Sequence, residues 1–489
     1  MQACQGDGNR VINADWRQDI WHEISRVLTA HMVMLRDTSI LDESASAATL
    51  QLIEIVRAGR PAHSDDAFRL IAAFEERYQS QSGPESAGTI GIARTQLDLA
   101  ASVQRLVLRR RYLALSASQL AVREALIALA EDHVFTLMPV WAHGVVVQPT
   151  NFAHYLTGVI APLRRANTRL HRALDDLDSS PMGAGALAGP GFPIDRDELS
   201  DLLGHARPIE STFDALAATD FFVDATQSAA ASVAPLRVLF DEFIAWLRTD
   251  PDALRLPDEL VSAPDPALPH LRLPSALQRV VRDAREVEDV SALITSLVRD
   301  LPLAPVGEDS ARPFELTANA LERAARVGAS VTTLISGPID FNRAWLARNA
   351  GRGLATAGDL ADFLMAEEAL DPVSARNIAS VTISRARQEG LEAPGVTPQL
   401  IDSAALLVIG RELGIEIERL GGVFAPRRFI EKRAILGGPA PVAVRELLQQ
   451  ERERLQQDSD WLDATNRRIA LADQNLEIRR EEILAAGAP

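Results

Sequence analysis

Residues 94–138 contain neither glycine nor proline, and their apolar residues return at spacings of three and four. That spacing keeps one helical face apolar, and its length predicts a helix, or a helix pair, far longer than average. Similar patterns cover 151–177, 209–249 with Pro235 inside, 275–300 and 314–335. Their apolar faces are too broad for exposed helices, so the economical architecture is a bundle of five long segments sharing one core. Almost no strand is expected. On either side the texture changes to shorter helices punctuated by Gly and Pro. The expected organisation is an all-α chain with an N-terminal helical domain (1–90), a central long-helix bundle (91–352), a C-terminal helical domain (353–440) and a helical extension (441–489).

The extension has its own signature. Leu448, Leu455, Leu462, Ile469, Leu476 and Ile483 fall every seventh residue, whereas Arg452, Ser459, Asn466, Asp473 and Arg480, four positions further on, are polar. A coiled coil needs two apolar columns. One column predicts a helix that docks on its own protein or on a neighbouring subunit.

Charge and cysteine content exclude several function classes. Fifty basic against 67 acidic residues give a formal charge of −17, which repels phosphate backbones and anionic membranes, so neither nucleic acid nor membrane is an expected partner. Cys4 is the only cysteine, so disulfide frameworks and cysteine metal clusters are ruled out. No ligand-spaced His/Asp/Glu set is visible, and neither a metal nor another cofactor is expected. The first residues lack the apolar core of a secretory signal, and no uninterrupted apolar run approaches the roughly 18 residues of a membrane span. A cytoplasmic protein is the expectation. Lys432 is the sole lysine, so arginine carries nearly all cationic work.

The most specific motif is SSPMGAGALAGPGFPIDR at 179–196. Its clustered glycines lack the preceding β-branched strand of a dinucleotide-binding loop, since LHRALDDLD before it is helical. The stretch instead resembles the glycine-rich turn of argininosuccinate lyases, SPLGAGALAG followed by FPIDR. In chain order, AHMVML (30–35) is similar to that family's AHxxML, GIARTQLD (91–98) to its GRSRNDQ, and MPVWAHGVVVQPTNFAHYL (138–156) to its MPGYTHLQxAQPVTFGHxL. GLATAGDLADFL (353–364) resembles GFLTATDLADYL, and RAILGGPAPVAV (433–444) resembles RxxxGGTAPxAV. The resemblance spans about 15–445. It implies the mainly helical fold of the fumarase/aspartase superfamily, and a homotetramer whose active sites each draw on three subunits.

Enzymes of that kind take a proton from the carbon beside a carboxylate of a succinyl group and expel the heteroatom on the next carbon, releasing fumarate. Such chemistry needs a base at the carbon, and cations or N–H donors aimed at the carboxylate where charge accumulates. In the family the base is a serine in a mobile loop, GSSxMPxKxN. Aligning that loop's prolines with Pro269 and Pro274 puts its glycine and serines on Pro264, Asp265 and Pro266, its lysine on Leu271 and its asparagine on Leu273. The stretch PDPALPHLRLPS therefore holds the place of the catalytic loop without its serine base. Other departures are Phe68 for a histidine, Thr95 and Gln96 for the asparagine and aspartate of SRND, Ala142 and Val145 in THLQ, and Asp178 for the NVSP asparagine. PVGEDSARPF (305–314) stands where the family grips the arginine part of its substrate.

The resemblance carries over Arg94, His143, Gln148 and Ser180, with Thr95 in the SRND segment. It implies substrate binding by Arg94, Thr95, Gln148 and Ser180 and a catalytic role for His143. Asp195 and Arg196 are expected to support the turn, and His133 and His171 to be structural. His270 and Arg272 suggest replacements in the rewritten loop, because imidazole is a competent base at neutral pH and guanidinium a good carboxylate clamp. Two readings follow. The first is an argininosuccinate lyase-like enzyme with an altered substrate, a dicarboxylate adduct or fumarate; the second is an inactive pseudoenzyme, a tetrameric scaffold or regulatory partner that kept the fold.

Overall fold

The computed structural model describes residues 16–59, 61, 67–83, 88–305, 307–337 and 339–487. Cys4 lies outside them. Helices α1 (Trp16–Asp37), α2 (Glu43–Ala58) and α3 (Ala67–Gln81) precede α4 (Gln96–Asp132), and the hairpin β1 (Leu137–Ala142), β2 (Val145–Asn151) leads into α5 (Phe152–Leu177). Then come β3 (Ser179–Ser180), α6 (Arg196–Leu202), β4 (Arg207–Pro208), α7 (Thr212–Ala217), α8 (Asp220–Thr249), β5 (Leu254–Arg255), α9 (Ser275–Arg299), α10 (Ala311–Ser336) and β6 (Asp340–Phe341). The chain continues through α11 (Arg343–Asn349), α12 (Gly358–Ala366), α13 (Pro372–Gln388), α14 (Pro398–Ile409), α15 (Ile417–Leu420), α16 (Pro426–Glu431) and α17 (Pro441–Ala486). The mainly helical fold expected from the sequence is the one found.

The five long segments are α4, α5, α8, α9 and α10, and they pack on one another as a bundle. At a rise of ~1.5 Å per residue, α4 alone is about 55 Å long. Successive bundle helices alternate in direction, so the bundle has two ends with different loops. At one end Thr95, before α4, bonds Gly185 in the turn after α5, and Leu97 lies beside Gly307, between α9 and α10. At the other end Trp141 of the hairpin packs on Trp246 near the end of α8, and Phe152 at the start of α5 packs on Phe341. The segment 250–274 joins α8 to α9 at this second end, where β5 pairs with β6.

Two local expectations differ from the structure. Residues 137–151 form an antiparallel hairpin where almost no strand is expected; its strands carry Val140, Val145, Val146 and Val147, and β-branched side chains suit a pleated surface. His143 and Gly144 form its turn with φ of 51° and 80°, the paired left-handed conformation that two-residue hairpins require. The segment predicted over 209–249 splits, because Ser211 caps a separate α7 by accepting from the Asp214 N–H and Ala218 leaves helical geometry at ψ 134°.

One apolar core runs through α1 to α6 and α8 to α10 and includes Leu448, Leu462, Leu476 and Ile483 of α17, while Leu354 to Phe424 build a second. The single apolar column of α17 thus docks on its own chain, with Leu455 and Ile469 packed against the same core. Arg123, fully buried on α4, pairs with Asp458, and Arg452 holds Glu131. By length and composition α4 is apolar enough to cross a membrane, but it packs against α1, α3, α5, α10 and α17 as a core helix.

Candidate active site

The glycine-rich turn is fastened to the first turn of α4. Thr95 caps the helix by accepting from the N–H groups of Leu97 and Asp98, and Asp98 accepts from Thr95 N at 2.9 Å, a reciprocal capping box. The second Asp98 oxygen accepts from Gly185 N at 3.0 Å, while Thr95 Oγ1 donates to Gly185 O at 2.7 Å. Both polar groups of Gly185 are thereby clamped, with φ at 62° and a Cβ there meeting the Gly189 backbone at 3.1 Å. Only glycine fits that close approach. Burial raises the Asp98 carboxyl's pKa against the pull of these hydrogen bonds. Arg196 donates to the carbonyls of Met182 and Ile209, and Asp195 caps α6; both brace the turn. Ser180 on β3 is fully buried, and its hydroxyl has no hydrogen-bond partner.

Arg94 lies immediately before Thr95 with its side chain 2% exposed. Its Nε donates to Ile90 O at 2.6 Å and its Nη2 to Glu75 Oε1 at 2.7 Å. The other Glu75 oxygen accepts from Gln96 Nε2 at 2.5 Å. His31, of the AHMVML segment, makes a 2.8 Å bond from Nε2 to Ile92 O in the same loop. Burial, aided by the Arg94 charge, pulls its pKa down to about 4, so the ring is neutral at pH 7.

Below the turn, Asp178 binds Arg109 at 2.7 Å and also Arg468 of α17. Burial alone would raise its pKa, but the contacts with His205 and Arg109 outweigh it and hold the carboxyl at about 2. Arg109 also donates to the carbonyls of Leu203 and Gly204. Burial and the Arg109 charge lower His205 to about 3. The ionised Asp178 is therefore a strut tying α4, α5 and α17 together.

The remaining candidates sit at the opposite end. His143, at the hairpin turn, and Gln148 are exposed. His270 is exposed in the 262–274 loop, and Arg272, 43% exposed, stands 3.8 Å from Asp258. Asp265 turns this loop by accepting from Ala267 N at 2.7 Å, and Ser262 N donates to Leu273 O at 2.8 Å. Within one chain the structure thus places Arg94 and Thr95 at the start of α4 and Ser180 on β3 before the clamped turn, with His143, Gln148, His270 and Arg272 at the other end, about 55 Å away along α4. The two structural histidines are tied locally: His133 to Thr136 at 3.1 Å, and His171 stacked on Trp461 at 3.7 Å.

A cavity of about 20 Å3 at the turn end is lined by Phe68, Leu97, Gln104, Gly307 and Ser310, among others. Another of about 640 Å3 lies midway along α4, against α1, α2 and α17; its Arg26, Arg57, Arg110 and Arg480 are all ion-paired. Among the described residues no cluster suited to a metal ion occurs.

Residues 31–253 match a protein family described as lyase. Argininosuccinate lyase from Methanoculleus marisnigri is 30% identical over 92% of this chain and 91% of its own length. The chain belongs to the fumarase/aspartase superfamily as an argininosuccinate lyase-like member. Argininosuccinate lyase 2 of Agrobacterium fabrum is 29% identical over 86% of this chain and 84% of its own. The fold is shared with EDDS lyase, solved with formate, at a TM-score of 0.87, 24% identity and coverage of 96% and 93%. This argininosuccinate lyase-like chain is accordingly a lyase of that superfamily. Two residues of its turn end escaped the motif comparison. Asp98 had a signal, since Thr95 and Asp98 stand at capping-box spacing. Glu75 had none, because only tertiary packing brings α3 onto the Arg94 loop.

Proposed function

We propose that this chain cleaves, or in reverse forms, a carbon–nitrogen or related carbon–heteroatom bond to a succinyl unit, with fumarate as one partner and a substrate other than argininosuccinate. The observation that carries the reading is the glycine-rich turn clamped to Thr95 through Gly185, with a buried, unpartnered Ser180 hydroxyl on the strand that leads into it. A built but unsatisfied buried donor is costly unless something else meets it, and a substrate carboxylate is such a group. Fumarate bound to a solved EDDS lyase variant of the same fold supports fumarate as a ligand of this scaffold.

In this reading the site is composite. Chains packed side by side with bundles antiparallel, as in a homotetramer, bring the hairpin and the 262–274 loop of other copies to the Arg94 end. His270 then serves as base at the carbon beside the carboxylate and Arg272 as its clamp. The electron pair left by the proton becomes the new double bond, and the heteroatom leaves with the broken bond's pair, with His143 positioned to protonate it. Gln148 adds a substrate contact. The altered substrate follows from Phe68, Val145 and the 305–314 segment, which lack the polar groups the family uses there.

A second reading is an inactive tetrameric scaffold. The loop without the family's serine, lysine and asparagine at their motif positions favours it. Incubating the purified protein with fumarate and a panel of amines and thiols, while following fumarate absorbance, separates the two. The lyase reading expects fumarate consumption that falls at least tenfold in His270→Ala and His143→Ala. Silence across the panel, with no succinate binding by calorimetry, establishes the scaffold.

A further inference from the structure

Arg94 is not an empty guanidinium awaiting an anion. Glu75 reaches it from α3, and the two Glu75 oxygens are each taken by a residue of one short segment, Arg94 at 2.7 Å and Gln96 at 2.5 Å. A single internal carboxylate is thus gripped at two points, as an incoming substrate carboxylate would be. The Arg94 side chain is 2% exposed and that of Glu75 15%, so the pair is largely shielded from water and its charges cancel locally. A second carboxylate cannot simply add to this arrangement, since it would meet Glu75 as a like charge on the same cation.

We propose that Glu75 is a built-in competitor of the substrate: it occupies the Arg94–Gln96 carboxylate position, and a substrate carboxylate gains that position only by displacing it. The inference rests on reading Arg94 as a carboxylate-binding residue. It makes Glu75 a specificity-determining residue, because affinity for any dicarboxylate is reduced by the equilibrium constant for releasing Glu75. Small dicarboxylates with few other contacts are discriminated against most. A larger succinyl adduct, with binding energy from its second half, is the substrate class able to open the pair.

Calorimetric titration of succinate and fumarate into the wild type and Glu75→Gln tests this. The near-isosteric amide removes the charge, and binding is expected to tighten at least tenfold. Glu75→Ala leaves a carboxylate-sized gap beside Arg94. Formate or acetate should raise its unfolding temperature saturably, and Arg94→Ala/Glu75→Ala should lose that response. Equal succinate affinity in the wild type and Glu75→Gln, or a Glu75→Ala protein indifferent to both anions, overturns the proposal. Tighter succinate binding without turnover on any partner leaves this inference standing and removes the lyase reading. Turnover by the wild type with unchanged affinity in Glu75→Gln does the reverse.

Discussion

The glycine-rich turn and the 262–274 loop are both motif positions of one superfamily, yet they are built in opposite ways. The turn is buried from Ser179 to Gly185, clamped through both polar groups of Gly185 and braced by Arg196. The loop is exposed along most of its length and held by bonds among its own residues. The turn's sequence is retained because close backbone approach leaves few alternatives, whereas an exposed loop restricts its sequence only through chemistry. Retention at the turn therefore reports the fold, and replacement in the loop is what the proposed change of reaction partner rests on.

The contrast is broken most forcefully beneath the turn. Arg109→Met removes a fully buried cation from Asp178 and is expected to cost about 3–5 kcal/mol, read as a lowered denaturation midpoint. Gly185→Ala forces a side chain into a left-handed residue 3.1 Å from the Gly189 backbone, for a loss of about 2 kcal/mol in the same assay.

How much of this contrast was legible in the sequence depends on the range of the interaction. The bundle could be read because helical spacing is local, and residues 441–486 form one helix with its apolar column on the core. The hairpin could not, because its turn rests on His143 adopting a left-handed conformation that histidine takes infrequently. Motif register named Arg94, Ser180 and His143, but only three-dimensional structure shows Glu75 on Arg94 and the two ends of α4 separating the candidates. Those are tertiary facts without a sequence period.

Acidification adds to the contrast, because two buried imidazoles, His31 and His205, lie on the turn side, one, His133, lies at the hairpin end, and none lies in the loop. Relative to an unfolded value of 6.5, His31 is lowered to about 4 and His205 to about 3. Below pH 6.5 the unfolded chain takes up protons that the folded chain refuses. Stability present above 6.5 is lost as the pH falls towards 4, by about 1.4 kcal/mol per pH unit for each ring. Denaturant midpoints between pH 7 and 5 check this, and His205→Gln should flatten the slope. Thr95→Val removes both a helix cap and the bond to Gly185, with an expected cost of about 1–2 kcal/mol. Smallest of all, His270→Ala should change stability by under about 0.5 kcal/mol while lowering turnover at least tenfold.

In the proposed assembly the two ends of α4 meet in one site contributed by different copies, and mixed oligomers test this. Ser180→Ala and His143→Ala chains, each depressed at least tenfold, are dissociated, mixed and reassembled, and fumarate turnover is followed. The mixture should exceed both parents severalfold, because some sites receive an intact Ser180 from one chain and an intact His143 from another. Activity no greater than the mean of the parents, in oligomers verified to contain both chains, would contradict it.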